Sequence, residues 1–199
     1  MNYLMFNGKR YNLVAEEENC CTSEGNTTLL SSIKEAETCK IGIWEFIVCE
    51  HTREGTVLLM KDCLYKNKKF GSNNNYNGSD VDKFCEEFAD ALTNLVGAEN
   101  IITHTVDLTA DDGLKDYGSV ERRVSLFTAN QYRKYCDILD NYRVDIWTWT
   151  ATAYSTPKHD DNSWVKCVAP SAYLQQLLQP LYGGVRPFCI LNSNIFVSK

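Results

Sequence analysis

Nine cysteines, three histidines and several close-set aspartates are the residues of this 199-residue chain best equipped for chemistry, and their spacing says what they can do. The cysteines stand at 20, 21, 39, 49, 63, 85, 136, 167 and 189, with one adjacent pair and no C-x-x-C. Structural zinc sites and small disulfide scaffolds draw on close pairs, because two ligands from one turn come already oriented. An odd number of dispersed cysteines reads instead as buried, reduced thiols. His51, His104 and His159 do not cluster with one another, so no metal ligand set is expected. Asp107, Asp111 and Asp112 lack the oxygen spacing of an EF-hand and read as a solvated turn; Asp160-Asp161-Asn162 reads as a polar loop tip. No serine lies in a nucleophile context such as G-x-S-x-G, so no catalytic residue and no cofactor are assigned.

Recognition chemistry is better represented than catalysis. The stretch from Asp145 to Leu191 holds three of the four tryptophans and all four prolines, and it closes on Gly-Gly-Val-Arg-Pro at 183–187. Trp147 and Trp149 alternate with Ile146, Thr148 and Thr150, the period of a half-buried strand, and further strands are expected at Trp164–Val168 and Gly184–Leu191. Between them, Ser155–Ser163 and Pro170–Tyr182 read as irregular surface loops. A rigid sheet carrying such loops is a common form of binding face. The candidate ligand-binding residues are Tyr154, Lys158, His159, Asp160, Asn162, Trp164, Lys166, Tyr173, Gln175, Gln176, Leu178 and Tyr182. Tyrosine and tryptophan give contact area at low entropic cost, and short polar groups adapt their hydrogen bonds. Trp147, Trp149 and Gly184 are assigned to structure, as is Arg186, with backbone carbonyls or an ion pair to Asp107 or Asp145 as its expected contacts.

Composition narrows the classes. Hydrophobic residues at 44% and aromatics at 12% fit a globular chain with a real core. The net charge of −6 and the shortness of the Lys66–Lys69 and Arg122-Arg123 clusters argue against nucleic acid as a partner. The apolar runs are too short to cross a bilayer, and MNYLMFNGKRYNLV lacks the pattern of a signal peptide, so synthesis in a cytoplasm is expected.

In chain order, Asn2–Val14 reads as a hairpin about Asn7-Gly8, either an edge ribbon closing the sheet or a surface for self-association. Residues 15–28 read as an acidic loop and 29–39 as a short helix. A second hairpin, 42–61, has two largely apolar faces and belongs inside a sheet. Asn-rich Lys66–Asp80 reads as a mobile surface loop. Ser79-x-x-Asp82 then opens a helix whose stripe is Val81, Phe84, Cys85, Phe88, Leu92, Leu95 and Val96, ending at Gly97, with Asp82, Glu86, Glu87 and Asp90 facing water. Ile101–Leu108 is extended. Thr128-Ala129-Asn130-Gln131 is a capping box, opening a helix that buries Tyr132, Tyr135, Cys136, Ile138 and Leu139. The predicted class is α+β, as an N-terminal extension over 1–40 and a domain over 41–199.

The ordered series from His104-Thr105-Val106-Asp107-Leu108 through Asp111-Asp112-Gly113-Leu114 and Tyr132-Arg133-Lys134-Tyr135 to Trp147-x-Trp149-x-Ala151-Thr152 and Gly184-Val185-Arg186-Pro187 resembles a family of gut bacteria and their phages. The resemblance covers residues 42–191. It implies a C-type-lectin-like fold, two main helices on small antiparallel sheets, similar to formylglycine-generating enzymes and to the variable proteins of diversity-generating retroelements. It further implies a phage or prophage ligand-binding module, virion-associated or cytoplasmic, with a hypervariable C-terminal face for a protein or surface-glycan partner. An intracellular effector that binds a host protein is the alternative. An oxidase with a copper-binding cysteine pair is a third reading, for which Cys167 and Cys189 are the candidates, although neither fits that motif. The sugar-site motifs of calcium lectins are missing.

Overall fold

The protein was analysed as a computed structural model, which describes residues 3–6 and 9–12 as strand backbone and residues 27–179 and 181–199 in full. In chain order, β1 (Tyr3–Phe6) and β2 (Lys9–Asn12) pair with each other, and β3 (Thr27–Leu29), β4 (Thr38–Ile41), β5 (Trp44–His51), β6 (Thr56–Met60) and β7 (Tyr65–Lys69) follow. After α1 (Asp80–Val96) come β8 (Ile101–Ile102), β9 (His104–Asp107), β10 (Ser119–Arg122) and β11 (Val124–Ser125). After α2 (Ala129–Leu139) come β12 (Thr148–Ala153), β13 (Trp164–Val168), β14 (Leu174–Leu178), β15 (Tyr182–Val185), β16 (Phe188–Leu191) and β17 (Phe196–Ser198).

The strands build two main sheets. The larger is an antiparallel path β11-β16-β6-β5-β4-β17-β3, with β8 also on β16. The smaller runs β14-β13-β12-β15-β7 and is antiparallel except at β12-β15. This overturns the expected C-type-lectin-like α+β arrangement of two helices on small sheets: strand outweighs helix, 37% against 23%, around a curled, half-barrel path of seven antiparallel strands among the described residues. The physical reason lies in segments whose composition pointed elsewhere. The expected helix over 29–39 is a strand end, one turn of 3-10 helix at Leu30–Ser32 and the start of β4, and the stretches 66–69 and 174–178, expected as loop, are strand. The N-terminal ribbon closes neither sheet; β1 pairs only with β2 and runs beside α1. Asn7-Gly8 and the acidic loop over 15–26 lie outside the described residues.

Two cores follow from the two faces of the large sheet. Trp44, Phe46 and Val48 of β5 and Leu58 and Met60 of β6 face α1 and the inner side of the smaller sheet, where Trp149, Ala151, Val165 and Cys167 meet them. Ile47, Cys49, Val57 and Leu59 face the other way, onto Phe127, Tyr132, Tyr135 and Leu139. The two apolar faces read from residues 44–49 are thus both covered, and β5 lies inside the sheet between β4 and β6.

Both helices start as their caps dictate. Ser79 Oγ accepts from Asp82 N–H at 3.1 Å, and Gly97 ends α1 at a φ of 84°, which a residue without Cβ adopts at no steric cost. At α2 the Thr128 hydroxyl accepts from Gln131 N–H while the Gln131 side chain accepts from Thr128 N–H, a complete capping box. Phe127 packs on Tyr135, its ring centroid 6.0 Å away. Two assignments change. Asp82 does not face water: it is buried and receives both Nε (2.8 Å) and Nη2 (2.7 Å) of Arg122. Cys136 is exposed, because it falls one position beyond the Tyr132–Tyr135 stripe.

Lys66–Asp80 is not a mobile surface loop. Its first residues form β7, and Phe70, Asn74 and Tyr76 are fully buried. Asn74 donates to the carbonyls of Ser155 (3.0 Å) and Trp164 (3.1 Å) and accepts from the Tyr117 hydroxyl (2.6 Å). The expected strand over Gly184–Leu191 is also divided. β15 belongs to the smaller sheet and β16 to the larger, and the chain passes between them at Arg186-Pro187. Buried Arg186 fixes that passage by donating Nε to Met60 O (3.1 Å) and Nη2 to Lys61 O (2.8 Å), and Pro187 O accepts from Met60 N–H at 2.9 Å. Its role is thus backbone bonding, with neither Asp107 nor Asp145 as an ion-pair partner among the described residues. Close packing accounts for both glycines of β15: a Cβ on Gly183 would lie 2.8 Å from the Trp149 indole, and one on Gly184 2.6 Å from Cys63 Sγ.

Candidate functional site

β12 and β13 form the middle of the smaller sheet and β14 flanks them, so the residues expected to bind ligand are held by rigid backbone. The register Trp164↔Leu178, Lys166↔Gln176 and Val168↔Leu174 puts these six side chains on one face. Gln175, opposite Cys167, belongs to the other face and leaves the candidate set's surface.

Three segments then meet at one rim. Tyr154 N–H donates to Trp164 O (2.9 Å), Gln179 N–H to Ser163 O (2.8 Å) and Phe70 N–H to Gln179 O (3.2 Å), while Tyr182 stands opposite Lys69. These contacts gather Tyr154, Trp164, Leu178 and Tyr182, which were separated in sequence by up to 28 positions. Tyr154 is 42% exposed, Trp164 39% and Tyr182 57%, and Leu181 beside them is 46% exposed. Lys69 Nζ stands 5.6 Å from the Tyr182 ring centre, a cation over an aromatic face. Leu181 and Lys69 were missed by the sequence reading; an apolar residue adjoining Tyr182 was the available signal for the first. Tyr173, 68% exposed, precedes β14 at its other end and does not join the rim. Trp149 is buried and donates its Nε1 to Lys68 O at 2.8 Å, whereas Trp147, assigned to the core, is 39% exposed because it precedes the covered strand.

Polar contacts fasten the loop before Trp164. Ser155 Oγ donates to Asp112 Oδ2 (2.5 Å), His159 Nδ1 stands 3.1 Å from the same oxygen, and Thr156 Oγ1 donates to Asp116 (3.1 Å). Lys158, His159, Asp160 and Asn162 are exposed, and Asp160 closes the 3-10 turn at Pro157–His159 in the left-handed region, φ 56°. Lys166 is not exposed: its Nζ lies 3.1 Å from Asp111 Oδ2 and 5.9 Å from the Tyr154 ring centre, and Arg133 Nη2 donates to Asp111 Oδ1 at 2.7 Å. Burial pushes the Asp111 carboxyl up, but the Arg133 and Lys166 bonds outweigh it and hold it below the ordinary carboxylate range. The turn expected to be solvated is thus tied into the sheet.

Asp112 stands between Ser155 and His159, so the histidine cannot take the serine proton, and buried Ser155 spends its hydroxyl on the carboxylate. Cys167 and Cys189 stand on different sheets as free, buried thiols, and burial pushes both up. Among the described residues no three His, Cys, Asp or Glu side chains converge as a metal site, and no helix is long and apolar enough to cross a membrane. No protein-family model, no curated protein and no solved structure matches this chain.

Proposed function

We propose that the protein is a non-enzymatic ligand-binding module that recognises a protein partner through the rim formed by Tyr154, Trp164, Leu178, Leu181 and Tyr182. The observation that carries this reading is the gathering of exposed Tyr154, Trp164, Leu181 and Tyr182 beside half-buried Leu178 where otherwise buried strands meet. Apolar side chains held in the open by a rigid sheet lose little freedom on binding, and contiguous patches of them mark interaction sites. Gln176 and the Lys158–Asn162 loop border the rim with polar groups, as in interfaces with an apolar centre and a wet margin. A phage or prophage origin, with a virion or cytoplasmic location, rests on the sequence resemblance and forms part of the proposal; so does diversification of this face, for which a template repeat and a reverse transcriptase at the coding locus are the check.

The test is retention of a partner from host lysate and intact cells by the tagged protein, alongside a Tyr154→Ala/Trp164→Ala/Tyr182→Ala variant whose folding is verified by circular dichroism. Loss of the partner in the variant supports the reading. Equal retention by both forms would falsify it, and a retained glycan in place of a protein changes the ligand class.

A further inference from the structure

β14 is an outer strand of the smaller sheet, and among the described residues no strand pairs with its outer edge. Open sheet edges invite pairing with another strand, and chains that remain apart protect them with lysines, prolines, bulges or very short strands. The other outer strands of the two main sheets are protected in these ways: β7 carries Lys66, Lys68 and Lys69, β3 has 3 residues and β11 has 2. β14 reads Leu-Gln-Gln-Leu-Leu, five residues without charge or proline.

The ladder says which of its groups are free. Ala169 N–H donates to Tyr173 O (2.9 Å) and Gln179 N–H to Ser163 O (2.8 Å), and hydrogen-bonded pairs recur at every second residue of an antiparallel ladder. Gln175 and Leu177 therefore turn their amides toward β13, while Leu174, Gln176 and Leu178 turn theirs outward. Of these, the Leu178 carbonyl accepts from Leu181 N–H at 3.0 Å. The outward-turned residues read Leu-Gln-Leu, a palindrome centred on Gln176. A second copy approaching antiparallel about a twofold axis at Gln176 would set Gln176 against Gln176, exchanging both of their N–H···O bonds, and Leu174 against Leu178. No like charges meet along this line, although each chain carries a net charge of −6.

We infer that β14 is a self-association edge at which a second copy of this chain adds its own β14 antiparallel, joining two five-stranded sheets into one. This does not rest on the ligand-binding reading, because it follows from the ladder and residue order of β14; Leu178 belongs to both surfaces, and the mass of the free chain, not partner capture, is the readout. Sedimentation over a range of concentrations tests it: the mass is expected to rise from 22.7 kDa toward twice that value. Gln176→Lys, which opposes two ammonium groups at the axis, is expected to hold the chain monomeric, Gln176→Glu to do the same, and an equimolar mixture of the two to recover the dimer. Gln176→Cys is expected to be joined into a covalent dimer by a short thiol-reactive cross-linker, since a hydrogen-bonded antiparallel pair sets Cα atoms about 5.5 Å apart. Gln175→Cys, which would face Leu177, is expected to stay uncoupled and serves as the control for the native thiols. A wild-type mass that stays at one chain at every concentration overturns the inference, as does a dimer that persists in Gln176→Lys.

Discussion

Lys166 is anchored by Asp111, Nζ to Oδ2 at 3.1 Å, with the lysine side chain 9% exposed and the aspartate 18%. Arg133 holds the second carboxylate oxygen, so one acid carries two bases at the junction of α2, β13 and the turn after β9. Asp111→Ala leaves Lys166 without its counter-charge and is expected to lower stability by about 3 kcal/mol. Lys166→Met keeps the Asp111–Arg133 pair and the length of the side chain, and is expected to cost less than about 1.5 kcal/mol. Urea unfolding of the two variants checks the order, and equal losses would discredit the pairing.

Acid is expected to destabilise the fold in two stages. Burial lowers the pKa of His104, whose ring lies edge-on to Phe188 with its Nε2 2.9 Å from Ser125 Oγ. Its folded value lies below its unfolded one, so its contribution is whole above the unfolded value and declines from about pH 6.5 downward, by at most about 1.4 kcal/mol per pH unit. The second stage belongs to carboxylates held below their ordinary range: Glu50 by hydrogen bonds from Lys134 and Tyr135, Asp112 by Ser155, and Asp111 by Arg133 and Lys166 against the opposing effect of burial. Their stabilisation is present above the ordinary carboxylate range and disappears as pH falls through the depressed values. Unfolding free energy measured from pH 8 to 2 should show both stages, and His104→Gln should abolish the first alone.

Asn74 ties β7's end to the loop before β13 through three hydrogen bonds made in full burial. Asn74→Ala leaves two carbonyls and a tyrosine hydroxyl without this partner and is expected to cost about 2–4 kcal/mol. Asn74→Asp is expected to be at least as costly, since it sets carboxylate oxygen against the Ser155 and Trp164 carbonyls. Thermal melts of both variants check this; a loss below about 0.5 kcal/mol, the range of ordinary surface substitutions, would show the cluster to be solvated.

Thiol reactivity is expected to separate the cysteines sharply. Burial pushes Cys39, Cys49, Cys85 and Cys167 up to about 12 and Cys63 to about 11, and Cys136 is the exposed cysteine among the described residues. Iodoacetamide applied to the native protein at pH 8 should therefore label Cys136 and spare those five until denaturant is added. Peptide mass spectrometry reads the pattern, and early labelling of Cys85 would contradict the packing beneath α1.

The helices and the central hairpin were legible because their signals are local. Ser79 and Thr128 cap within four residues, and the alternation through Trp44–Cys49 declares two covered faces. What stayed hidden depends on distant partners. Phe70, Asn74 and Tyr76 sit in an Asn-rich run whose composition imitates a solvated loop, and only Ser155, Trp164 and Tyr117 make Asn74 a buried residue. Leucine and glutamine favour helices, so β14 declares itself through its pairing with β13 and not through propensity. Of the candidate site, the aromatics of the rim were visible as residue types; their convergence was not, because it is made by backbone bonds between segments such as Phe70 and Gln179.

The chain changes sheets at Arg186-Pro187 and then fills inner positions, β16 between β11 and β6 and β17 between β4 and β3. During synthesis the ribosome therefore delivers β16 and β17, which belong in the middle, after the strands they pair with. Until they emerge, β6 and β11 have no common neighbour, and of the earlier strands of the large sheet β5 alone, between β4 and β6, is paired on both sides. Assembly cannot proceed by adding strands outward from the first hairpin, and such non-local pairing is slow. Chains in which β16 and β17 have not yet emerged expose these pairing edges, which makes that interval one in which this protein needs protection from aggregation.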